Sequence, residues 1–508
     1  MPVRIGEPLT LDDVVAAARG EPVELSPEAA ERMAASRAVV EDKVAAGETV
    51  YGVTTGIGSL ATVRISPEQA ERLQLDIVRS HATAVGPPLS ESESRAMLAL
   101  RAHVLALGRS GVRPTVVERM VEMLNRGVVP VVPERGSLGA SGDLAPLAHL
   151  ALPLVGLGEV WVEGRPVAVD GGGVPGLPAP LRLGAKEGLA LVNGTQGMLA
   201  VGGLALHRAE RALRAADVAA AMSVEALLGT DVPFDERLQR LRPHPGQAAS
   251  ASNLRRLLGG SSILASHRDS PHLVQDAYSL RCVPQVNGAA RGAASWCRAV
   301  LETEIGSVSD NPVVLAEDGS VLSGGNFHGQ PVAVALDAAA LALVGAASIA
   351  ERRLYRLLDP SLSNGLPPFL VGQSGLNSGF MLAQYTAASL VSEAKSLAHP
   401  ASVDSIPSSA GQEDHVSMGM TAARHLRAVV EIAETVIGLE ALAAAQGIDL
   451  REPLRPAAGT AAAHAAVRSG VPFLDSDREV RHDIEGAVAM VRDGRLVAAA
   501  EDAVGPLA

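Results

Sequence analysis

The stretch GSLGASGDLAPLAHL, residues 136–150, contains three consecutive residues whose types could do unusual chemistry: Ala140, Ser141 and Gly142. If this loop bends tightly, the amide nitrogen of Gly142 can attack the carbonyl carbon of Ala140 and close a five-membered ring with loss of water. Glycine permits the approach because it has no Cβ. Ser141 can then lose its hydroxyl as a second water and leave an exocyclic methylene. Such a ring is an electrophile, whereas the common side-chain catalysts are nucleophiles, acids or bases.

A second interpretation of this stretch is structural. Ser141 or Asp143 could cap a helix that begins at Leu144, with Pro146 in its first turn. A nucleophile elbow, G-x-S-x-G, is excluded because Gly142 comes one position too early. A phosphate-binding loop is excluded because the stretch contains no lysine. The helix cap and the cyclised loop are compatible with each other, and both stay open from the residues alone.

Composition favours a helical protein that carries this loop. Of the 508 residues 47% are apolar but only 2% are aromatic, so the core must be built mainly from Ala, Leu and Val. Alanine and leucine are the strongest helix formers. The segment LTLDDVVAAARG predicts a helix that begins after Thr10, and EVWVEGRPVAV predicts a hairpin around Glu163-Gly164.

The order of these elements predicts two domains. Beyond about Lys186 one long helical pattern follows another, which favours a bundle. We therefore predict a mainly α protein, with a smaller mixed N-terminal domain over residues 1–185 that carries the Ala-Ser-Gly loop. A central and C-terminal helical bundle is predicted over residues 186–508.

Charge and targeting signals restrict the partners and the compartment. The formal net charge is −13 and no basic stripe alternates with aromatics, so nucleic acid is not expected as a partner. Cys282 and Cys297 form no CxxC pair, and the first residues lack the apolar stretch of a signal peptide. These features predict a cytoplasmic protein in a reducing compartment.

One apolar run is long enough to raise the question of a membrane span. It begins at Pro331 and reads PVAVALDAAALALVGAASIAERR. It is dominated by alanine and carries Asp337 in its interior, and Pro331 suits the first turn of a helix. We therefore predict a buried core helix and no association with a membrane.

The polar residues of the second half are concentrated in loops, which suggests a site carried on a rigid scaffold. Together with the Ala-Ser-Gly loop, several segments closely resemble the aromatic amino acid ammonia-lyases and aminomutases: KEGLALVNGTQ, QDAYSLRCVPQV, SDNPVV, GGNFHGQPVA and QEDHVSMG. The resemblance implies that Ala140, Ser141 and Gly142 form the prosthetic group 4-methylidene-imidazol-5-one autocatalytically, and that no metal is needed. It also implies a cytoplasmic homotetramer that acts on a small amino acid and whose sites borrow loops from several subunits.

The resemblance assigns a role to three residues of the central loops. Tyr278 matches the base that removes the β-proton. A phenol is protonated at neutral pH, so this base needs nearby positive charge or donors, part of which Arg281 could supply. Arg281 itself matches the residue that holds the substrate carboxylate. Asn193 matches an active-site amide whose donors could face developing negative charge. From the residues alone, a buried hydroxyl, a structural ion pair and a turn asparagine stay equally open.

Three further positions match the family's pocket. Tyr51, in YGVTTGIG, matches a tyrosine on a mobile loop over the site, although an ordinary Gly-rich turn would look the same. Gln275 and Phe327 match substrate-binding positions, but Phe327 could simply belong to the core.

Substrate choice is predicted from two positions. His81, within Ser80-His81, and Glu413, within QEDHVS, are typical of the family members that act on histidine, and both suit a polar imidazole ring. This implies elimination of ammonia from L-histidine to give trans-urocanate, the first step of histidine degradation. Thr54 and Ile57 depart from the residues usual in those members. Phenylalanine or tyrosine ammonia-lyase, or a 2,3-aminomutase, is therefore the alternative.

Two other classes of protein are alternative interpretations of the sequence. A metalloenzyme could use His328, Glu413, Asp414 and His415, although the chain has no HExxH and adjacent Asp414-His415 is not a spacing that specifies a metal. A helical assembly protein with an uncyclised loop would have no catalytic activity, but the density of polar loop motifs is against it.

Overall fold

The computed structural model describes residues 2–169, 171, 174, 176–269 and 274–508, and over these residues the chain is mainly α-helical, as predicted. The helices are α1 (Leu11–Ala18), α2 (Pro27–Ala45), α3 (Pro67–His81), α4 (Glu91–Ala106), α5 (Pro114–Asn125), α6 (Leu144–Ala151), α7 (Glu187–Val192), α8 (Gln196–Ala226), α9 (Glu236–Leu241), α10 (Pro245–Leu258), α11 (Ser262–Ala265), α12 (Tyr278–Arg281), α13 (Val283–Ile305), α14 (Gln330–Leu358), α15 (Met381–Leu397), α16 (Gly419–Asp449), α17 (Ala458–Gly470), α18 (Arg481–Asp493) and α19 (Arg495–Val504).

The strands are short and form small sheets. They are β1 (Val3–Ile5), β2 (Val23–Leu25), β3 (Val85–Pro88), β4 (Val129–Pro130), β5 (Pro133–Arg135), β6 (Glu159–Val162), β7 (Arg165–Ala168), β8 (Val313–Leu315) and β9 (Ser320–Leu322). β1 pairs with β2 in parallel, β3 with β5 and β8 with β9 in antiparallel, and β4, β6 and β7 form a three-stranded sheet. Over the described residues the strands precede residue 330, but β8 and β9 lie within residues 186–508, for which only a helical bundle was predicted.

Local signals in the sequence fix two of these elements. α1 begins after Thr10, whose hydroxyl accepts from the Asp13 amide while the Asp13 carboxylate accepts from the Thr10 amide at 2.8 Å. This reciprocal pair satisfies amides that the first turn leaves without partners. The predicted hairpin is β6–β7, in which Val162 pairs with Arg165 across Glu163-Gly164. Both turn residues have positive φ, as a two-residue hairpin loop requires.

The chain forms two compact units, each discontinuous in sequence. The first contains the chain up to His207 together with Cys297–Asp337 and Pro400–Arg424. The second contains Arg208–Trp296, Ala338–His399 and His425–Ala508. These units do not coincide with the predicted division at residue 185, because four of their five limits fall within the long helices α8, α13, α14 and α16, and the fifth follows α15. A boundary sought in Gly- and Pro-rich loops could not have found those four.

The core of the second unit has the composition that the sequence predicted. Its buried cluster is built mostly from Ala, Leu and Val, to which α8, α14 and α16 contribute many members, with Phe234 and Phe380 as its aromatic members. Small side chains allow helices to pack closely, so the core needs few aromatics.

The apolar run at Pro331 forms α14, which is long and apolar enough to cross a membrane by length and composition alone. However, 61% of its most apolar window is buried within the protein. Its interior charge is also satisfied, since Asp337 is buried and accepts a hydrogen bond from the Ser402 amide at 2.8 Å. Both observations agree with a core helix.

Candidate active site

The Ala140-Ser141-Gly142 loop connects β5 to α6. Asp143 occupies the N-cap position of α6 but its side chain makes no capping hydrogen bond, so the predicted cap is wrong for Asp143. Instead, its carboxylate accepts from the Ser137 hydroxyl and from the Met198 amide, both at 2.7 Å. Burial raises the pKa of Asp143 to about 6. Asp143 therefore ties the loop to α8 rather than capping its own helix.

Gly142 lies against the NGTQ segment more closely than any other residue type could. Its φ is +73°, and a Cβ at this position would fall 2.0 Å from the carbonyl oxygen of Gly194. The Gly194 amide donates to the Ser141 carbonyl at 3.2 Å, and the Gly194 carbonyl accepts from the Asp143 amide at 2.7 Å. The loop is thus clamped by backbone hydrogen bonds on both sides of Gly142, which keeps its conformation tight.

The other end of the loop is held by the segment before α16. Gly139 has a φ of +71°, and a Cβ there would fall 2.1 Å from the hydroxyl of Ser417. The Met418 amide donates to the Leu138 carbonyl at 2.9 Å. Ala140 is buried in a small apolar cluster with Val416 and Met418. These contacts leave Ser141 as the partly exposed residue of the three.

Ser141 faces a cavity of about 700 Å³ within the first unit. Seven of the eleven predicted catalytic and substrate-binding residues line this cavity, although they come from distant segments of the chain: Tyr51, His81, Ala140, Ser141, Asn193, Phe327 and Glu413. Its size suits an amino acid. The structure therefore brings most of the predicted site together.

Glu413 is the carboxylate in contact with the loop. The Ser141 hydroxyl donates to Glu413 Oε1 at 3.5 Å, and the Ser408 hydroxyl donates to Glu413 Oε2 at 2.6 Å. Ser409 and Ala410, which have positive φ values of 50° and 53°, shape the turn between Ser408 and Glu413. Residues other than glycine rarely adopt this conformation, and such strain is often found at functional sites.

His81 ends α3 and lines the same cavity. Its Nδ1 lies 2.8 Å from the Ile77 carbonyl oxygen, which can only accept, so Nδ1 carries the proton in the neutral ring. Burial lowers the pKa of His81 below its ordinary value, while the Ile77 carbonyl and the negative charge of Glu413 act in the opposite direction. A neutral His81 has Nε2 as an acceptor, which suits the N–H of an imidazole.

Tyr51 and Thr54 have different places in the Gly-rich loop. The Tyr51 hydroxyl lines the cavity and accepts from the Gly58 amide at 3.1 Å, so its own proton stays available. Thr54 does not line the cavity, and its hydroxyl donates to the Glu48 carbonyl at 2.6 Å. Of the two departures noted in the sequence, only Ile57 borders the cavity.

Asn193 follows α7, and both N–H groups of its side chain are already used. Nδ2 donates to Asp310 Oδ1 at 3.2 Å and to the Asn311 carbonyl at 3.1 Å. The donor role expected for Asn193 is therefore wrong in this geometry, because no side-chain N–H remains for the cavity. Asp310 and its partner Lys186 were not among the predicted site residues, although they lie in the motifs SDNPVV and KEGLALVNGTQ.

The remaining predicted residues lie in the second unit. Tyr278 and Arg281 belong to the single-turn helix α12, where the Arg281 guanidinium lies 4.5 Å from the centre of the Tyr278 ring. Tyr278 is 71% exposed. Gln275 and Arg281 line a separate cavity of about 660 Å³. None of the three borders the cavity of Ser141 in this chain.

The residues considered as metal ligands also border the cavity. The rings of His328 and His415 are stacked 5.8 Å apart, and Glu413 and Asp414 directly precede His415 in the chain. Over the residues that the structure describes, no three His, Cys, Asp or Glu side chains are arranged to hold a metal ion. The stacked pair gives no support to the metalloenzyme alternative.

The fold and this site define a class of protein. The sequence model of the aromatic amino acid lyase family matches residues 9–469, and the chain belongs to that family. The resemblance seen in the loop motifs is thereby confirmed.

Individual members of the family are similar to this chain over almost its whole length. The histidine ammonia-lyase of Sorangium cellulosum (strain So ce56) is 55% identical over 516 residues, which cover 99% of both chains. The crystal structure of histidine ammonia-lyase from Trypanosoma cruzi is 44% identical with a TM-score of 0.91, and the comparison covers 99% of this chain and 96% of that one. The tyrosine aminomutase of Streptomyces globisporus is 38% identical with a TM-score of 0.94 over the whole of both chains.

Proposed function

We propose that this protein is a carbon–nitrogen lyase that acts as a histidine ammonia-lyase, eliminating ammonia from L-histidine to give trans-urocanate. The observation that carries the proposal is the placement of His81 and Glu413, two groups suited to an imidazole, in one cavity with Ser141. The full-length similarity to the enzyme of Sorangium cellulosum supports the same substrate.

The residues of the loop fit the prosthetic group that the family resemblance implies. The backbone of Gly142 is packed where a Cβ would clash, and Ser141 has a partly exposed side chain between two tightly held neighbours. Once formed from Ala140, Ser141 and Gly142, 4-methylidene-imidazol-5-one supplies an electrophile that makes the substrate amine a better leaving group. All other steps rest on ordinary side chains.

Within the cavity, His81 and Glu413 bind the imidazole ring and Phe327 packs against the substrate. Neutral His81 accepts a ring N–H through Nε2, whereas Glu413 favours a ring that carries positive charge. Tyr51 keeps a hydroxyl proton for the substrate, since its oxygen is already an acceptor for Gly58. We infer that these contacts hold the substrate with its α and β carbons beside Ser141.

Removal of the β-proton is assigned to Tyr278, with Arg281 pairing with the substrate carboxylate and Gln275 beside them. Because these residues do not border the Ser141 cavity of their own chain, we infer that a neighbouring subunit supplies them, in a cytoplasmic homotetramer. The exposed phenol of Tyr278 and the adjacent guanidinium agree with a surface that becomes part of a site on assembly.

The alternative is an aminomutase or a lyase for another aromatic amino acid. It is favoured by the similarity to tyrosine aminomutase and by Ile57 at the cavity. Both alternatives use the same loop, so they differ in the substrate pocket and in the fate of the released amine.

The test is a substrate comparison with the purified full-length protein. L-Histidine, L-phenylalanine and L-tyrosine are offered separately, and ammonia, the α,β-unsaturated acid and any β-amino acid are quantified. We expect trans-urocanate and ammonia in equal amounts from L-histidine, with a kcat/KM at least about a hundredfold above the other two, because buried polar groups discriminate strongly. Faster turnover of phenylalanine or tyrosine, or a β-amino acid as the main product, would support the alternative instead.

A further inference from the structure

Beneath Asn193 lies an ion pair that is completely buried. Lys186 Nζ donates to Asp310 Oδ2 at 2.6 Å, and neither side chain has any solvent exposure. Lys186 precedes α7 with φ at +69°, a conformation that lysine seldom adopts. Burying two charges and straining a residue both cost free energy, so the surrounding structure must stabilise this arrangement.

The ion pair decides which way the Asn193 amide points. Asp310 Oδ1 and the Asn311 carbonyl both receive hydrogen bonds from Asn193 Nδ2. If the amide were turned over, its oxygen would face two oxygens, which would repel it. The backbone is held as well, because the Arg101 guanidinium donates to the Asn193 carbonyl at 2.7 Å. The chemistry of these neighbours therefore fixes the orientation.

An ionised Asp310 is essential to this orientation. Burial alone would raise the pKa of Asp310, but the positive charges of Lys186 and Arg101 outweigh it and hold the pKa below its usual value. A carboxylate only accepts hydrogen bonds, whereas a protonated acid could donate to Asn193 Oδ1 and allow the amide to turn over. Lys186, together with Arg101, thus keeps Asp310 an acceptor.

The consequence is that Asn193 contributes an acceptor to the cavity. Its side chain borders the cavity and its N–H groups are used, so Oδ1 is the polar atom that remains. Over the residues that the structure describes, no protein donor reaches Oδ1. An amide oxygen in such a place suits a cationic donor, and an amino acid substrate brings one in its α-ammonium group.

We propose that Asp310, paired with Lys186, is a positioning residue that makes Asn193 present Oδ1 to the α-ammonium group of the substrate. The proposal rests on the proposed function only in requiring an amino acid substrate. It assigns Asn193 to binding of the amine and gives the buried pair a role beyond stability.

The test compares two ligands that differ only in the amine. In a Ser141→Ala background, which stops turnover, calorimetry measures the binding of L-histidine and of 3-(imidazol-4-yl)propanoate. We expect Asp310→Asn to weaken L-histidine binding by about tenfold or more, the effect of losing a charge-assisted hydrogen bond, and to change propanoate binding by less than about twofold. Equal weakening of both ligands, or of neither, overturns the proposal.

Glu187→Gln is the matched control. Glu187 is the next residue to Lys186 and its buried carboxylate pairs with Arg113 at 2.6 Å, but it makes no hydrogen bond to Asn193. General loosening of α7 should therefore affect both variants alike, and only Asp310→Asn should discriminate between the two ligands. If Glu187→Gln gives the same selective loss, the role of Asp310 is structural and the proposal is wrong.

A second variant covers the case in which Asp310→Asn does not fold because it leaves Lys186 charged and unpaired. Lys186→Met combined with Asp310→Asn removes both charges and should tolerate burial better. The same selective loss is expected.

The Ser141→Ala protein itself tests the proposed function. If it binds L-phenylalanine but not L-histidine, the substrate assignment fails, and the pair L-phenylalanine and 3-phenylpropanoate still tests the role of Asn193. If it binds no amino acid, both proposals are contradicted.

Discussion

Gly142 and Gly194 lie so close together that a Cβ added to Gly142 would fall 2.0 Å from the Gly194 carbonyl oxygen. Segments 52 positions apart in the sequence are thus in direct backbone contact at the residue whose amide nitrogen would close the ring. The contact ties Ser141 and Asn193, both at the cavity, into one rigid unit.

Substitution of Gly142 should therefore abolish activity. Gly142→Ala places a Cβ on the Gly194 carbonyl and also strains a left-handed backbone, so we expect no measurable elimination of ammonia. Gly164→Ala is the control, because Gly164 has a similar φ of +75° but no atom within 4 Å of its Cβ position. That variant should lose only about 1 kcal/mol of stability and keep its activity. Steady-state rates and thermal melts distinguish the two, and an active Gly142→Ala protein would contradict the argument.

Ring formation is expected to change the mass of the protein. If Ala140, Ser141 and Gly142 cyclise, the intact mass falls by two water molecules relative to the encoded chain. With two Trp and four Tyr residues the near-ultraviolet background is low, so an added absorbance should be visible. Ser141→Ala should lack the second dehydration, the absorbance and the activity while it folds normally. An unmodified mass in an active preparation would refute the role of the loop.

Glu413→Gln should lower the turnover of L-histidine more than it weakens binding of the substrate's α-amino and carboxylate groups. The substitution removes the charge that faces the imidazole, and we expect kcat/KM for L-histidine to fall by about a hundredfold. It also removes a charge that raises the pKa of His81, so the acid limb of the pH profile should move to lower pH. Ser408→Ala keeps the Glu413 charge and removes only the 2.6 Å hydrogen bond, so its effect should be smaller. An unchanged pH profile would show that the two residues do not interact.

Complementation should reveal whether subunits share a site. Ser141→Ala and Tyr278→Phe are each expected to be inactive, but their co-expression should restore part of the activity if one chain supplies the loop and another supplies the phenol. Ser141→Ala with Glu413→Gln is the control pair, because both residues border the same cavity of one chain. That pair should show no more than the residual activity of Glu413→Gln alone. Failure of the first pair, with mixed oligomers present, would place Tyr278 in the site of its own chain.

The pH dependence of stability should report His103, which is buried in α4. Its Nδ1 accepts from the Gly6 amide at 3.2 Å, and burial lowers its pKa to about 4. Between about pH 6.5 and pH 4, His103 is therefore protonated in the unfolded chain but neutral in the native state, so acid favours unfolding over this range. At pH 5 the loss relative to pH 7 is about 2 kcal/mol. His103→Gln should have a weaker dependence of melting temperature on pH, and replacement of the exposed His482 should not. Parallel curves for all three proteins would show that other groups dominate.

The structure agrees best with the predictions from sequence where the structural information is local. The capping box of α1 needs only Thr10 and Asp13, and the β6–β7 hairpin needs only Glu163 and Gly164. The core helix α14 was recognised from its alanine content and from Asp337. In each case, neighbours along the chain determine the backbone, so a short window is sufficient.

The predictions from sequence agree least with the structure where distant segments meet. The division at residue 185 does not match the two compact units, since the long helices contribute to both. The role of Asp143 as a cap was displaced by hydrogen bonds to Ser137 and to the Met198 amide. The donor role of Asn193 was reversed by Asp310, 117 positions away. None of these partners has a signature in the sequence around the residue that it affects.

The sequence alone determined the helical composition, the reactive Ala-Ser-Gly triplet and membership of the family, because each is written in contiguous residues. Only the tertiary structure decided which predicted groups share a cavity, which predicted groups do not border it, and whether the Asn193 amide presents its oxygen or its nitrogen to the cavity. The physical reason is that burial and hydrogen-bond polarity are properties of the packed neighbours, and those neighbours are chosen by folding rather than by proximity in the chain.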